Sequence, residues 1–337
     1  MAKNIKIVAF IATISILAGT FLFVGCKKDE RIENKSQTII HQELYKLNSA
    51  ISSNINIMKY RKESSGFWSK FGNTVGKVCA IAGSDITGAA AGVVATAKIS
   101  AALGIATGGT GAVAVSVSAG VICGAGASYV TGKAVSKDAE SEAKPIVQQD
   151  RVIGKRNWDY LNVGEMHNST LSHFFNSYDC IDINELTTFV LSLNNFIGDN
   201  LFYSEEWSFF MQEAMDYAND YVENEFSINQ LMDSYLQNGY LTSNIYDVLL
   251  SFFDIYLYME NLDDTEYLVD SYVEFVEETD YLSEIEKKAL LSAFAVANYS
   301  PYYWEQIVDM QYNSDIIELN NDIIFDVCET NVVSIEL

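Results

Sequence analysis

Positive charge is nearly missing from the second half of this 337-residue chain. Residues 151–337 hold 35 acidic side chains and 5 basic ones. A phosphate-binding surface needs clustered Lys and Arg, so nucleic acid is not an expected partner. The short patterns of common chemistries are missing too. There is no G-x-x-x-x-G-K-[ST] phosphate loop, dinucleotide fingerprint, G-x-S-x-G elbow, H-E-x-x-H pair or EF-hand spacing. Beyond Cys26, the cysteines at 79, 123, 180 and 328 are separated by 44, 57 and 148 positions. That spacing excludes a compact C-x-x-C metal or redox motif. No cofactor or bound metal is expected, and the absences favour a noncatalytic protein. Cys79 and Cys123 are left with two fates, a disulfide across a fold-back or two buried thiols.

What is present begins with an address. Lys3 and Lys6 precede the apolar run "IVAFIATISILAGTFLFV", and small Gly25 stands just before Cys26. Residues 1–25 therefore read as a signal peptide. An uncleaved anchor is the alternative, since the run is barely long enough to span a bilayer. The segment "FVGC" resembles the lipobox of bacterial lipoproteins, with Phe23 where Leu is commoner. The resemblance implies cleavage before Cys26 and a mature chain carrying two or three acyl chains there. Each buried CH₂ contributes about 0.8 kcal/mol, and two chains anchor stably. Lys28, Asp29 and Glu30 resemble the Lys-acidic-acidic signal that sends Bacteroidetes lipoproteins to the cell surface. The expected location is the outer membrane, lipid-anchored and displayed outward. Residues 26–40 then form a lipidated tether.

Helical periodicity dominates the rest. Leu44, Leu47, Ile51, Ile55 and Met58 predict an amphipathic helix over 41–63, with His41 at its start. It leads through Phe67, Trp68 and Phe71 into a connector that ends at 77. Residues 78–136 are rich in Gly and Ala, and the run Ile99–Val130 contains no charge. Glycines recur four apart, at Gly88 and Gly92, Gly104 and Gly108, and Gly120 and Gly124. Such spacing puts small residues on one helical face, where backbones approach closely. The pattern predicts a helical hairpin, 83–107 against 112–135. Its seam would be sheltered by lipid, by a second copy or by the rest of the protein. Asp85 and Lys98 oppose a bilayer span in the first arm.

A polar linker over 137–156, broken by Pro145, precedes an acidic helical domain over 157–320. Charge changes sign near Asp150: residues 27–150 hold 14 basic and 10 acidic side chains. Ser204, Asp182 with Glu185, and other Ser, Thr or Asp residues mark helix starts, and Gly239 marks a stop. Ser300–Pro301 reads as another start, with Ser as cap and Pro in the first position. The tail 321–337 is undecided between strand and helix. The expected fold is mainly α, a Gly/Ala-rich hairpin followed by an acidic multi-helix bundle or short helical array.

Three short segments stand out. They are Gly164, His167, Asn168 and Leu171 in "GEMHNSTL", Ser300, Tyr303 and Trp304 in "YSPYYW", and Asp85, Gly88 and Ala89 in "SDITGAAAG". They resemble segments of helical Bacteroidetes proteins, a resemblance that carries no activity across. Read alone, His167 is a packing residue, or a ligand or base working with a distant carboxylate. His173, six positions on, points about 120° away on a helix and cannot chelate beside it. His167, Asn168, Tyr303 and Trp304 are candidate recognition residues, although core aromatics sealing a helix explain the last two equally. The leading expectation is a lipoprotein that binds a protein partner, with basic character, or supports envelope assembly. The alternatives are a membrane-active, bacteriocin-like protein whose hairpin inserts or self-associates, and a hydrolase or metal enzyme built on His167.

Overall fold

The computed structural model describes residues 37–55, 74–104, 110–135, 160–177, 183–193, 201–224 and 226–315. The leader, Cys26, the aromatic connector, Gly108, the polar linker, Asp182, Cys180, Cys328 and the tail lie outside them. The chain is mainly α, with no strand among the described residues. Its helices are α1 (37–51), α2 (Thr74–Ala102), α3 (Thr110–Val135), α4 (Leu161–Ser177) and α5 (Ile183–Leu193). They continue with α6 (Glu205–Glu223), α7 (Ile228–Gln237), α8 (Ser243–Tyr256), α9 (Asp264–Glu278) and α10 (Glu284–Asp315).

Two units divide the chain at Leu47. In the first, α1 buries Ile40 and Leu44 and exposes His41 and Tyr45. The helix starts earlier than periodicity suggested, so His41 lies inside it rather than at its cap, and it ends at 51 in a turn. The second unit, Asn48–Leu337, holds both the Gly/Ala-rich hairpin and the acidic helices. At its edge the Asn48 amide donates to the Ser251 carbonyl (2.8 Å) and accepts from the Tyr272 hydroxyl (2.6 Å).

The hairpin forms the centre of this second unit. Every residue from Val78 to Thr96 and from Val115 to Tyr129 is buried. A helix that is apolar on all faces needs partners on all faces. Here α2 packs most extensively on α10 and α3, while α3 also meets α4 and α6. The two arms are antiparallel. Ser84 faces Thr131, Gly88 faces Ala127 and Gly92 faces Cys123, each step of four up α2 matching four down α3. A Cβ on Gly92 would lie 2.7 Å from the Ala119 carbonyl oxygen and 2.6 Å from Cys123 Sγ. One on Gly88 would lie 3.0 Å from the Cys123 carbonyl oxygen. The missing side chains are what let these backbones meet. Gly120 and Gly124 make room in other directions, against Val163 and Ser292 and against His167. Gly104 follows the end of α2 with φ +69°, a left-handed conformation that glycine adopts freely. Cys79 and Cys123 are buried free thiols.

The outer helices follow their sequence signals. Ser204 Oγ accepts the Trp207 N–H at 3.2 Å. Ser227 and Gln230 close a reciprocal capping box on α7, and Gly239 ends it at φ +73°. Thr242 caps α8. The buried Glu286 carboxylate caps α10 from within and also accepts from Thr242 (2.7 Å) and Asn244 (3.1 Å), tying the starts of α8 and α10 together. Phe252, Tyr272 and Phe294 join α8, α9 and α10, with ring centroids 5.0–5.5 Å apart.

Ser300–Pro301 departs from expectation. It opens no helix; Pro301 sits inside the 32-residue α10. Proline removes one intrahelical N–H, so Ala297 loses its helical donor. The cost is tolerated because α10 is held along α2 on both sides of that point, and the Ser300 hydroxyl is committed to another helix.

Gly92→Ala is expected to lower stability by about 1–3 kcal/mol through overpacking, although Ala is the better helix former by about 1 kcal/mol. Gly104→Asn, in open space and a conformation Asn tolerates, should be nearly neutral. Urea denaturation of the two variants beside the native chain checks the contrast.

Candidate functional site

The three segments singled out in the sequence meet at one point inside the bundle. Asp85 projects from α2, His167 and Asn168 from α4, and Ser300 and Trp304 from α10. Ser128 of α3 joins them. Asp85, Ser128, His167, Ser300 and Trp304 are all fully inaccessible to solvent.

Each side chain arrives there for a local reason. The Gly88 and Gly92 seam draws α3 against α2, bringing Ser128 beside Asp85. Gly124 lets the imidazole lie flat on α3: a Cβ there would be 2.9 Å from His167 Cδ2. Gly164 does the same between α4 and α10, where a Cβ would sit 2.4 Å from Tyr299 Cδ2. Val163 and Gly120, then His167 and Gly124, are paired in the same order, so α4 runs parallel to α3.

A bare carboxylate in such a place would be costly, so its partners matter. Ser300 Oγ donates to Asp85 Oδ2 at 2.5 Å and Trp304 Nε1 donates to the same oxygen at 2.9 Å. Ser84 Oγ lies 3.3 Å from Oδ1. His167 Nε2 is 3.9 Å from Oδ2. Burial pushes the Asp85 carboxyl above the usual range, while His167, Ser128, Ser300 and Trp304 pull it back. Around the carboxyl stand Tyr221, whose hydroxyl donates to the Ala80 carbonyl at 2.6 Å, and Tyr256 and Tyr303. Burial raises all three phenols well above their ordinary range, and the facing Asp85 raises them further.

The imidazole has two polar neighbours. Ser128 Oγ is 3.0 Å from Nε2, and Asn168 Oδ1 is 3.0 Å from Nδ1. The order hydroxyl, imidazole, orienting group is that of an activated nucleophile. The surroundings forbid that use. Both Ser128 and His167 are sealed, and Gly124 touches the ring so closely that a methyl group cannot enter. A substrate carbonyl cannot reach the hydroxyl.

The other recognition candidates lie against this cluster. Tyr303 is buried edge-on to Trp304, with centroids 5.3 Å apart, and Asn168 is half-buried. These two, with His167 and Trp304, face the interior. His173 stacks on Phe189 at 4.1 Å, away from His167. Among the described residues no three His, Cys, Asp or Glu side chains gather as a metal site. Reading each motif locally missed Ser128 and the meeting of Asp85 with His167. The available signal was an aspartate in the middle of a glycine-spaced apolar run. No family model, curated protein or solved structure matches the chain.

Trp304→Phe keeps one aromatic ring but removes one donor from a buried carboxyl, together with part of the indole volume. It should cost about 1–3 kcal/mol of stability, measurable by urea denaturation, whereas Tyr281→Phe, on a 40% exposed ring, should change it little.

Proposed function

We propose that this chain is a lipoprotein anchored through Cys26 at the outer face of a bacterial outer membrane, and that its helical body acts by binding a cationic partner. The observation that carries the reading is how the chemistry is sorted. The Asp85, Ser128 and His167 cluster is sealed inside the second unit, while the exposed faces of the outer helices are acidic and carry aromatics. Residues 157–286 contain 27 Asp and Glu side chains and no Lys or Arg. On α6 the exposed face carries Glu205, Glu206, Asp216 and Asp220 around Phe209, which is 65% exposed. Tyr203, beside its start, is 56% exposed. Carboxylates of one sign attract cations at long range and speed encounter, and exposed aromatic faces add cation–π contact at short range.

A second reading has one observation in its favour. Val78–Ala102 is long and apolar enough to cross a membrane. For a membrane-active hairpin, α4 and α10 would have to come off α2, because this helix is enclosed in the folded body. Dye release from anionic vesicles by the full chain supports it; intact vesicles at any pH remove it.

The address is tested by radiolabelled fatty-acid incorporation and protease shaving of intact cells. Label on the native chain, none on Cys26→Ser, and cleavage from outside are expected. An unlabelled native chain, or one retaining its leader, overturns the anchor. For binding, an immobilised cationic peptide should capture the protein at low salt and release it as salt screens the field. Charge reversal at Glu205, Glu206 and Asp216 together with Phe209→Ala should reduce capture at least tenfold. Capture unaffected by both salt and these substitutions sinks the reading.

A further inference from the structure

We propose, resting on the cationic-partner reading, that the exposed face of α6 is a docking seam for one basic amphipathic helix of a partner protein. Six positions form the seam: Glu206, Phe209, Glu213, Asp216, Asp220 and Glu223. They follow one another at intervals of 3, 4, 3, 4 and 3 residues. A mean step of 3.5 is the repeat with which one helix lies along another. On an α-helix the six positions stay within a stripe about 100° wide. All are exposed except Glu213, which is half-buried. The opposite side of α6, with Trp207, Met211, Ala214 and Ala218, is buried against the bundle.

The stripe combines an aromatic anchor with charge that α6 does not balance. Phe209, 65% exposed, stands near one end, and carboxylates fill the other positions. Glu213 and Asp216, Asp216 and Asp220, and Asp220 and Glu223 sit one turn apart, where like charges repel. Asp220 and Glu223 also lie in the last turn, at the negative end of the helix dipole, and no basic residue offsets them there. The hydrogen bonds these carboxylates accept come from uncharged groups. Tyr217 and Tyr240 hold Glu213, Gln212 holds Asp216 and Asn224 holds Asp220. The side chains are steadied without being neutralised. A cation supplied from outside relieves both the repulsion and the clash with the dipole.

Spacing selects the conformation of the partner. From Glu206 to Glu223 the stripe rises about 26 Å, or about 5 Å per step. A second helix presents the residues of one face in the same steps. An extended chain places same-side residues about 6.7 Å apart and outruns the stripe by about 8 Å over its length. The occupant is therefore a helix of about five turns, with Lys or Arg recurring every third or fourth residue along one face. An Arg guanidinium opposite Phe209 stacks on the ring and keeps its charge.

Two synthetic peptides of identical composition, rich in Arg, Ala and Gln, test this against the full chain. In one the arginines form a single stripe with alternating intervals of three and four; in the other they are spread around the helix. At low salt the striped peptide should bind about tenfold more tightly, and circular dichroism should show helix gained on binding. Asp216→Lys with Asp220→Lys should remove that advantage. The same charge change at Glu278 and Asp280, by the end of α9, should leave it. All four positions are exposed, so the fold tolerates the changes. Equal affinity for the two peptides, or binding without added helix, overturns the helical seam and leaves the cationic reading standing. An advantage that survives the α6 changes, or that falls as far with the α9 changes, overturns the site. Failure of both peptides to bind overturns the seam and the cationic reading together.

Discussion

The rest of the structure depends on the close approach of two backbones. Where Gly88 and Gly92 meet Cys123 and Ala119, no side chain separates α2 from α3. This contact sets the hairpin's spacing and drives water from its interior. It also creates the central problem, because Asp85 lies on the same helix, three residues before Gly88. A carboxyl held there cannot be solvated from outside. The bundle meets that demand with hydrogen bonds brought from α3, α4 and α10. Gly124 and Gly164 are part of the same solution, since each clears room for a polar group or a backbone at the seam.

This arrangement accounts for the uneven charge of the sequence. The buried stretches of the central helices, 78–96 and 115–129, carry one charge between them, and it is informative. Asp85 is tied into the interior, and Lys98 lies at the exposed end of α2, where its ammonium reaches the Gly239 carbonyl. The outer helices then hold the acidic residues on their solvent faces. The charge change along the chain is thus a change of layer, and one compact unit contains both layers.

Much of this was legible residue by residue. Glycine spacing gave the hairpin, and Ser204, Ser227, Thr242 and Gly239 marked ends of helices that the structure contains. These signals act over one helical turn, which is why they can be read locally. The Ser300–Pro301 pair is where local reading failed. Ser before Pro is a good helix start by propensity, but packing of α10 along α2 carries the helix through it, and the Ser300 hydroxyl serves Asp85. Asp85, His167 and Trp304 lie 82 and 137 positions apart in succession. No spacing rule links them, and Ser128 has no sequence mark distinguishing it from Ser116 or Ser118.

A glycine-spaced interface has one further weakness. Small residues recurring every four positions make a seam that looks almost the same after a shift of one turn, so close packing alone discriminates poorly between registers. Buried polar groups remove the degeneracy, because they are satisfied in one register and stranded in the others. Ser84 reaches Thr131 across the seam at 2.9 Å. Asp85 reaches Ser300 and Trp304 on α10 and lies beside His167 of α4. Sliding α2 by one turn along α10 would take the buried carboxyl away from Ser300 and Trp304 and leave it only Ser84 of its own helix. The polar centre therefore selects which of several similar glycine contacts is the native one, and in doing so it fixes α3, α4 and α10 relative to α2.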